Sequence, residues 1–398
     1  MNKSCIIYLN EVKDTDQYRR DWAYAYAEVL HELGYNVTLI DFADDGKTLT
    51  LNLMKALDSS PRPAFILSIH GHAGKLQTKD GQSLYDFFQI PFLALCIDNA
   101  TGYPDQIKHE SRFTFWGLYD KSDLDYAQKY INPNKNYFIA PNAGFSSSVP
   151  PKPFNERDYD ILFCGTIFTP EDYKNNWKQF NLPYLDALCG AIAELLMSDN
   201  RKSLMEAMEE ALLYYGIFSL NDVGIRFHTV LNVVSSYVRG CRRTALLKEL
   251  AQAGLKIHCF GNKKQLEKLD HPNLTIHDFL QTREYLETLG RSKIVLNTTP
   301  NGKYSITERQ LSAMINGAAV ATDTNEYIEQ CFPETSIIGF SHKDYKDLAD
   351  KLSYLLASPQ KLEEITRNGE DAAKKKHTVR HRAANLIAVA ETGKLLLS

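Results

Sequence analysis

The residues with the clearest capacity for chemistry lie in one short segment, "SITERQLSAMINGAAVATD", which starts at Ser305. Ser305 and Glu308 have the spacing of a capping box, in which a hydroxyl precedes a helix and a carboxylate follows three residues later. We therefore predict a helix with Ser305 as its N-cap and Arg309 in its first turn. The amino end of a helix presents free N–H groups and the positive end of a dipole, so this combination favours binding of a phosphate or diphosphate.

Two glycines strengthen this interpretation. Gly165 follows the apolar run "YDILFC", and Gly261 follows the apolar run "KIHCF". A glycine at the end of a strand lets the backbone approach a bulky ligand closely. A capped helix alone needs no ligand to explain it, but all three features at one sheet edge favour a nucleoside diphosphate.

Acid–base candidates lie in the first part of the chain. "SIHGHAG" places His70 and His72 at the end of an apolar strand, and Asp98 follows the apolar run "FLALCI". Any of the three could serve as the general base for an acceptor hydroxyl. The alternatives are histidines that pack or cap a loop and an aspartate that accepts in an Asx-turn.

Short apolar runs, such as Cys5–Leu9, alternate with helical patterns along all 398 residues, which is typical of βα units and parallel sheets. A chain of this length favours two domains. The predicted fold class is α/β, with two Rossmann-like, doubly wound parallel-sheet domains that face each other across a cleft. The predicted ranges are 1–148 for the first domain, 149–158 for a linker, 159–375 for the second domain with a helical insertion at about 177–240, and 376–398 for a tail helix that packs back toward the first domain.

Composition excludes several partners. The net charge of -4 gives no reason to expect nucleic acid, and no window approaches 18 consecutive apolar residues, so no integral membrane segment is expected. The seven cysteines form no CxxC pair, which favours a reduced, cytoplasmic location.

The basic run at 374–382 is typical of a solvated helix face and leaves peripheral contact with anionic lipid as an alternative. The DxD pattern at 158–160 precedes its strand, so no metal is expected there.

Several segments resemble the GT-B glycosyltransferases and, more narrowly, the CgeB-type (spore maturation protein B-like) family. The segment at 304–323 resembles the strand–helix–strand region where those enzymes bind the donor nucleotide. Further similar segments, in the order of the chain, are "CIDNA" at 96–100, "YFIAPNAG" at 137–144, "YDILFCGTI" at 159–167, "RRTALLKELAQAGLKIHCFGN" at 242–262 and "HTVRHRAANLI" at 377–387.

This resemblance implies sugar transfer, without a bound metal or other cofactor, from a nucleotide sugar to a protein or cell-envelope glycan. A UDP-sugar is favoured, with the donor in the second domain and the acceptor on the first. The donor residues that it implies are Gly165 and Thr166 near the phosphates, Gly261, Asn262 and Lys263 beside the nucleotide, the backbone around Asp278 and Phe279 near the base, and Ser305, Thr307 and Arg309 at the diphosphate. For Glu308 two roles stay open, contact with the ribose or only capping of the helix. Tyr304 and Ser312 stand where many retaining relatives carry glutamates, so inversion and retention both stay open.

Two other functions remain as alternatives. A nucleotide-sugar-binding protein without catalysis is compatible with the two missing glutamates. A nicotinamide-dependent oxidoreductase would use the same α/β scaffold, but "CIIYLNEVKD" lacks the G-x-G-x-x-G that should follow the first strand.

Overall fold

The computed structural model describes residues 3–11, 17–167, 176–178, 183–223, 227–299 and 302–397. Within these ranges the chain forms two parallel sheets of six strands each, flanked by helices. The predicted α/β fold class is therefore confirmed. The chain divides into two compact units, of which the first contains Met1–Asn142 and Thr378–Ser398 and the second contains Ala143–His377.

The sheet of the first unit has the strand order β2-β1-β3-β4-β5-β6. Its strands are β1 (Lys3–Leu9), β2 (Tyr35–Asp41), β3 (Ile66–Ile69), β4 (Phe92–Cys96), β5 (Thr114–Leu118) and β6 (Asn136–Ile139). The connecting helices are α1 (Gln17–Glu32), α2 (Gly46–Leu57), α3 (Leu84–Phe88), α4 (Pro104–Lys108) and α5 (Lys121–Tyr130). The order reverses between β1 and β3, which pair through Ile7 and Leu67. The segments that follow Leu9 and Ile69 therefore meet at the carboxyl edge of the sheet.

The sheet of the second unit has the order β12-β11-β10-β7-β8-β9. Its strands are β7 (Tyr159–Cys164), β8 (Ile257–Phe260), β9 (Leu274–His277), β10 (Ser292–Asn297), β11 (Ala319–Asp323) and β12 (Ile338–Phe340). Its helices are α6 (Pro183–Ser198), α7 (Leu204–Tyr214), α8 (Phe227–Gln252), α9 (Lys263–Leu266), α10 (Thr282–Leu289), α11 (Glu308–Ile315), α12 (Glu326–Cys331), α13 (Tyr345–Leu356) and α14 (Pro359–Lys376). Here the order reverses between β7 and β10, so the segments after Cys164 and Asn297 lie side by side.

The central strands of both sheets are apolar and buried on both faces, as expected of parallel sheets that helices cover. In β7, Ile161, Leu162 and Phe163 are all fully buried. One core of the second unit joins alternate residues of its strands to the apolar side of α8, where Leu246 and Leu250 are also fully buried.

The predicted helical insertion has no boundary at residue 240. The helix α8 runs without interruption through that position, because buried apolar residues continue from Val230 and Val238 to Leu246 at helical spacing. The insertion and the helix that leads into β8 are thus one element.

The last helix, α15 (Val379–Leu397), belongs to the first unit and packs against α1. Its Arg382 is buried and donates from Nε to the carbonyl oxygen of Asn142 at 3.1 Å, while Arg380 forms an ion pair with Glu32. Part of the basic run at 374–382 is therefore structural. In the described part of the chain, no helix is long and apolar enough to cross a membrane.

Candidate donor and acid–base sites

The helix α11 starts two residues later than predicted. Its N-cap is Thr307, whose Oγ1 accepts from the backbone N–H of Gln310 at 3.3 Å. The Gln310 side chain accepts in return from the Thr307 N–H at 2.7 Å. The predicted capping box of Ser305 and Glu308 is therefore wrong. Ile306 and Leu311 explain the shift, because they are buried and occupy the two positions of a hydrophobic staple around this N-cap.

Ser305 is consequently free of a capping role. Its side chain is buried, and its hydroxyl has no hydrogen-bond partner among the described residues. The Thr299 hydroxyl, also buried, is in the same situation. Two side chains at the carboxyl end of β11 bind the backbone of these two residues. Asp323 accepts from the Thr299 N–H at 2.6 Å, and Asn325 donates to the Ser305 carbonyl oxygen at 2.8 Å. Two buried hydroxyls near the start of α11 therefore lack a hydrogen-bond partner among the described residues.

Arg309 extends from the first turn of α11 to the carboxyl end of β7. Its Nη1 donates to Oδ1 of Asn297 at 3.2 Å, and its guanidinium carbon lies 5.8 Å from the ring centre of Phe163. A Cβ atom on Gly165 would be only 2.8 Å from Arg309 Nη2. The fold therefore brings Arg309 and Gly165, two of the predicted donor residues, into contact where the strand order reverses.

Gly261 lies at the same edge. Gly165 donates its N–H to the carbonyl oxygen of Phe260 at 2.9 Å, and a Cβ atom on Gly261 would be 2.4 Å from the Gly165 carbonyl oxygen. The ends of β7 and β8 can therefore approach each other this closely only if residue 261 has no side chain.

Arg243 was not predicted, although it fixes the position of the predicted Thr166. Its Nη1 donates to the Thr166 carbonyl oxygen at 2.7 Å, and its Nε donates to the Thr298 hydroxyl at 3.2 Å. Arg243 is buried and so ties the loop after β7 to the loop after β10. The signal in the sequence is an arginine within the apolar side of a helix, which needs a specific partner.

Tyr285 on α10 was also missed. Its hydroxyl is buried without a hydrogen-bond partner in the described ranges. Burial raises the pKa of Tyr285 well above its ordinary value. The charge of Glu308 raises this pKa further, and the charge of Arg309 lowers it. The helices α10 and α11 are in contact, so this phenol lies beside the start of α11.

The remaining predicted donor residues are more exposed or are engaged in local contacts. Asn262, Lys263, Asp278 and Phe279 are exposed, and the exposed fraction of Phe279 reaches 65%. Tyr304 is half-buried, and the Lys303 ammonium lies 5.4 Å from its ring centre. Glu308 is engaged locally, since its carboxylate accepts from the Ser312 hydroxyl one turn further along the helix.

The DxD pattern is occupied by ion pairs. Asp158 pairs with Lys152 at 2.7 Å and also with Arg291, and Asp160 pairs with Lys293 at 2.7 Å. All of these lie at the amino end of β7 or beside it. Within the described residues, no three His, Cys, Asp or Glu side chains come together as ligands for a metal.

In the first unit, the three predicted acid–base residues surround Tyr103. Its hydroxyl forms a short hydrogen bond with Nδ1 of His70 and lies 3.5 Å from Oδ2 of Asp98. The ring centre of His72 is 5.7 Å from that of Tyr103. The fold thus brings His70, His72 and Asp98 together, as expected for residues at neighbouring strand ends.

The two histidines differ in their surroundings. His70 is 1% exposed, and burial lowers its pKa to about 3. Its Nε2 has no partner among the residues that the structure describes. His72 is half-buried, its Nδ1 is 3.2 Å from Nε2 of Gln106, and burial also lowers its pKa. At neutral pH, His70 is therefore an uncharged group enclosed by protein.

Glu11 joins this cluster and was not predicted. It follows β1, where one carboxylate oxygen accepts from the Ser68 hydroxyl and the other accepts from the Ala73 N–H at 2.6 Å. Burial raises the pKa of Glu11 to about 7, although these hydrogen bonds act in the opposite direction. The available signal was a carboxylate directly after the first strand of a doubly wound sheet.

The comparisons with known proteins bear on the family and the fold. The family model described as "Glycosyl transferase-like" matches residues 242–388. This part of the chain is glycosyl transferase-like. It contains the last part of α8 from Arg242 onward, the loop after β10 and the α11 segment with Arg309, but it covers less than half of the sequence. The sequence matches no curated protein.

Solved structures are similar over nearly the whole chain. Sucrose-phosphate synthase from Thermosynechococcus elongatus aligns with a TM-score of 0.54 and 10% identity over 100% of both chains. An alpha-glucosyltransferase in complex with UDP-glucose and DNA containing an abasic site aligns with a TM-score of 0.55 and 10% identity, over 98% of this chain and 99% of its own. HepE from Anabaena, in complex with UDP-glucose, aligns with a TM-score of 0.51, 10% identity and the same coverage. The fold of the chain is therefore that of the GT-B glycosyltransferases, and identities this low speak for the fold alone.

Proposed function

We propose that this protein transfers a sugar from a nucleoside-diphosphate donor to an acceptor hydroxyl. The observation that carries the proposal is the contact between Arg309 and Gly165 at the strand reversal of the second unit, where Arg309 lies within the glycosyl transferase-like residues 242–388. Transfer breaks the bond between the sugar C1 and a phosphate oxygen, and negative charge develops on the departing diphosphate. A guanidinium and the positive end of the α11 dipole stabilise that charge in advance of the reaction.

The donor in this proposal is a UDP-sugar held by the second unit. Two structurally similar proteins were solved with UDP-glucose, which favours this nucleotide. The exposed ring of Phe279 can stack on the base, and the unpartnered hydroxyls of Ser305 and Thr299 can bind phosphate or sugar oxygens. In this mechanism Arg309 and the helix end neutralise the diphosphate, so that transfer proceeds without a metal.

The acceptor in this proposal is a protein or a cell-envelope glycan, bound to the first unit of a cytoplasmic enzyme of the CgeB type. A second candidate is a nucleotide-sugar-binding protein without catalysis. One observation favours it: Ser312, where many retaining relatives carry a glutamate, is fully buried and donates its hydroxyl to Glu308. Turnover of a bound donor separates the two candidates.

The first experiment is a thermal-shift screen of UDP-, GDP- and dTDP-sugars, followed by calorimetric titration with the three nucleotides. Binding to the native state raises the melting temperature. We expect Arg309→Ala to weaken nucleotide binding by about 10-fold or more, since a charge-assisted hydrogen bond is worth roughly 1.5–3 kcal/mol. Arg291→Ala is the control, because Arg291 pairs with Asp158 at the opposite edge of the sheet. No binding of any nucleotide by the wild type would refute the proposal, and unchanged binding by Arg309→Ala would remove Arg309 from the site.

A further inference from the structure

We infer that His342 is a positioning residue for the donor site, because it holds the buried carboxylate of Asp323 that orients Arg309. The inference rests on the proposed sugar transfer. His342 follows β12, and Asp323 ends the neighbouring strand β11. Nε2 of His342 lies 2.9 Å from Oδ2 of Asp323, and the two side chains are only 4% and 3% exposed. This pair begins a hydrogen-bond network within the second unit that ends at the Arg309 guanidinium.

The network runs from Asp323 to Arg309 through two fully buried side chains, Thr322 and Asn297. The Thr322 hydroxyl lies 3.2 Å from Oδ1 of Asp323 and 3.3 Å from its carbonyl oxygen. The same hydroxyl oxygen accepts from Nδ2 of Asn297 at 3.1 Å and from Nε2 of Gln310 at 2.8 Å. Oδ1 of Asn297 in turn accepts from Arg309 Nη1 at 3.2 Å. The ends of β10 and β11 are thus connected to the first turn of α11.

The direction of these hydrogen bonds is set by the carboxylate. The Thr322 oxygen uses both lone pairs to accept from the two amides, so its proton is left to donate to Asp323, and an ionised carboxylate can only accept. The Asn297 amide is thereby oriented with its nitrogen toward Thr322 and its oxygen toward Arg309. In the opposite orientation it would direct N–H groups at a guanidinium, which has only donors. The placement of Arg309 therefore depends on Asp323 as an acceptor.

His342 keeps Asp323 in this ionised, acceptor-only state. Burial by itself would raise the pKa of Asp323, but the hydrogen bond and charge of His342, the charge of Arg242 and the Thr299 N–H together lower that pKa below its ordinary value. On the other side of the ring, Nδ1 of His342 lies 2.8 Å from the Tyr345 hydroxyl. That hydroxyl can donate to a neutral ring or accept from a protonated one. In both states of the ring, Nε2–H is directed at Asp323.

The same carboxylate also holds the loop after β10. Oδ1 of Asp323 accepts from the Thr299 N–H at 2.6 Å, and the buried Thr299 hydroxyl has no partner within the described ranges. Two parts of the candidate donor site, the loop and the Arg309 guanidinium, therefore depend on one carboxylate. Loss of His342 should alter nucleotide binding as well as stability, whereas a histidine that only packs the core would affect stability alone.

The test compares His342→Leu, which cannot donate, with His342→Gln, whose amide nitrogen can take the place of Nε2. Calorimetric titration with UDP, or with the nucleotide that the thermal-shift screen selects, gives the dissociation constant and the fraction of protein that binds. We expect His342→Leu to weaken binding by about 5- to 10-fold and His342→Gln to stay within about 2-fold of the wild type, as for one charged hydrogen bond lost and restored. Misfolding would instead lower the fraction that binds.

A double variant tests whether the effect passes through Arg309. When Arg309→Ala has already removed the guanidinium, adding His342→Leu should weaken binding little further, because residues that act through one another do not contribute additively. Leu352→Ala is the control for destabilisation. Leu352 lies on α13, fully buried in the apolar core of the same unit, so its truncation should lower stability and leave the dissociation constant unchanged.

Tyr345→Phe decides the question if His342→Leu does not fold. It removes only the hydroxyl on Nδ1 and should weaken binding by about 3-fold, as for one neutral hydrogen bond. Wild-type affinity in His342→Leu, or in Tyr345→Phe where that variant replaces it, would overturn the role of His342. So would equal weakening by His342→Gln or Leu352→Ala, or additive losses in the double variant. Absence of nucleotide binding by the wild type would instead refute the sugar transfer, and this inference with it.

Discussion

Gly165 and Arg309 are in contact although 143 residues separate them in the chain. The guanidinium of Arg309 lies so close to Gly165 that a Cβ atom there would be 2.8 Å from Nη2. The missing side chain at Gly165 therefore leaves the space that the Arg309 guanidinium occupies, while a hydrogen bond to Asn297 helps to hold it there.

Substitution of Gly165 by alanine tests this relationship. The added methyl would push the end of a flexible side chain, so we expect a small effect on folding and a loss of nucleotide affinity of about 5- to 10-fold, as for one weakened charged hydrogen bond. Calorimetric titration with UDP measures it. The control is Gly190→Ala on α6, where no described atom lies within 4 Å of the new Cβ and affinity should not change. Equal affinity in Gly165→Ala would contradict this positioning of Arg309.

A second pair of variants separates capping from ligand binding. Thr307→Ala removes the observed N-cap and should lower the free energy of unfolding by about 1 kcal/mol. Ser305→Ala removes a buried hydroxyl that has no partner among the described residues, so stability should change little. If that hydroxyl binds the donor, affinity falls by about 5-fold, the worth of one neutral hydrogen bond. Chemical unfolding and UDP titration of both variants give the result. Greater destabilisation by Ser305→Ala than by Thr307→Ala would restore the predicted register.

Tyr285→Phe removes only the buried, unpartnered hydroxyl beside the start of α11. We expect unchanged or slightly higher stability without ligand, because an unsatisfied polar group is lost, and donor affinity lower by about 5- to 10-fold. Tyr184→Phe is the matched control, since its hydroxyl donates to the carbonyl oxygen of Val223 at 3.0 Å. That variant should lose stability and keep affinity. Wild-type affinity in Tyr285→Phe would exclude the phenol from the donor site.

Glu11 makes stability depend on pH in a defined direction. Its pKa is about 7 in the folded protein and 4.5 ordinarily, so the folded state binds the proton more tightly than the unfolded chain. This contribution is fully present below about pH 4.5 and is lost as the pH rises through about 7, by up to about 3 kcal/mol. The variant Glu11→Gln has no titrating group at this position, so its free energy of unfolding lacks this pH dependence. Between about pH 4.5 and 8 the free energy of unfolding of the wild type should therefore fall relative to that of the variant. Parallel pH profiles would show that the pKa of Glu11 is not raised.

Much of the fold could be predicted because its signals are local. The apolar run Cys5–Leu9 lies within β1, and the run that ends at Ile69 contains β3, since a buried parallel strand must be apolar on both faces. The end of the insertion at residue 240 could not be predicted in the same way. The apolar side of α8 continues across that position, where it packs against α6 and, further along, against the core of the sheet, and the backbone stays helical throughout.

The candidate site was predicted in part for a related reason. Strand ends can be located in a sequence, so Gly165, Gly261, His70 and Asp98 were identified. The start of α11 was misplaced because "SITE" and "TERQ" both satisfy the capping pattern, and the burial of Ile306 and Leu311 decides between them. Tyr285 and Glu11 lie in segments with no motif of their own, and the resemblance of the segment at 242–262 does not single out Arg243. The importance of all three residues depends on what other segments place beside them.

The sequence by itself determined the alternation of strands and helices, the strand ends and the residue types present there. Periodicity and burial on two faces are visible in the local pattern of apolar and polar residues. Only the tertiary structure decided which strand ends are neighbours. Strand order follows from how the helices pack on the two faces of each sheet, and no local pattern encodes it. That order brings Glu11 to Ser68 and Arg309 to Gly165, and with those contacts it sets the protonation of the carboxyl group and the position of the guanidinium.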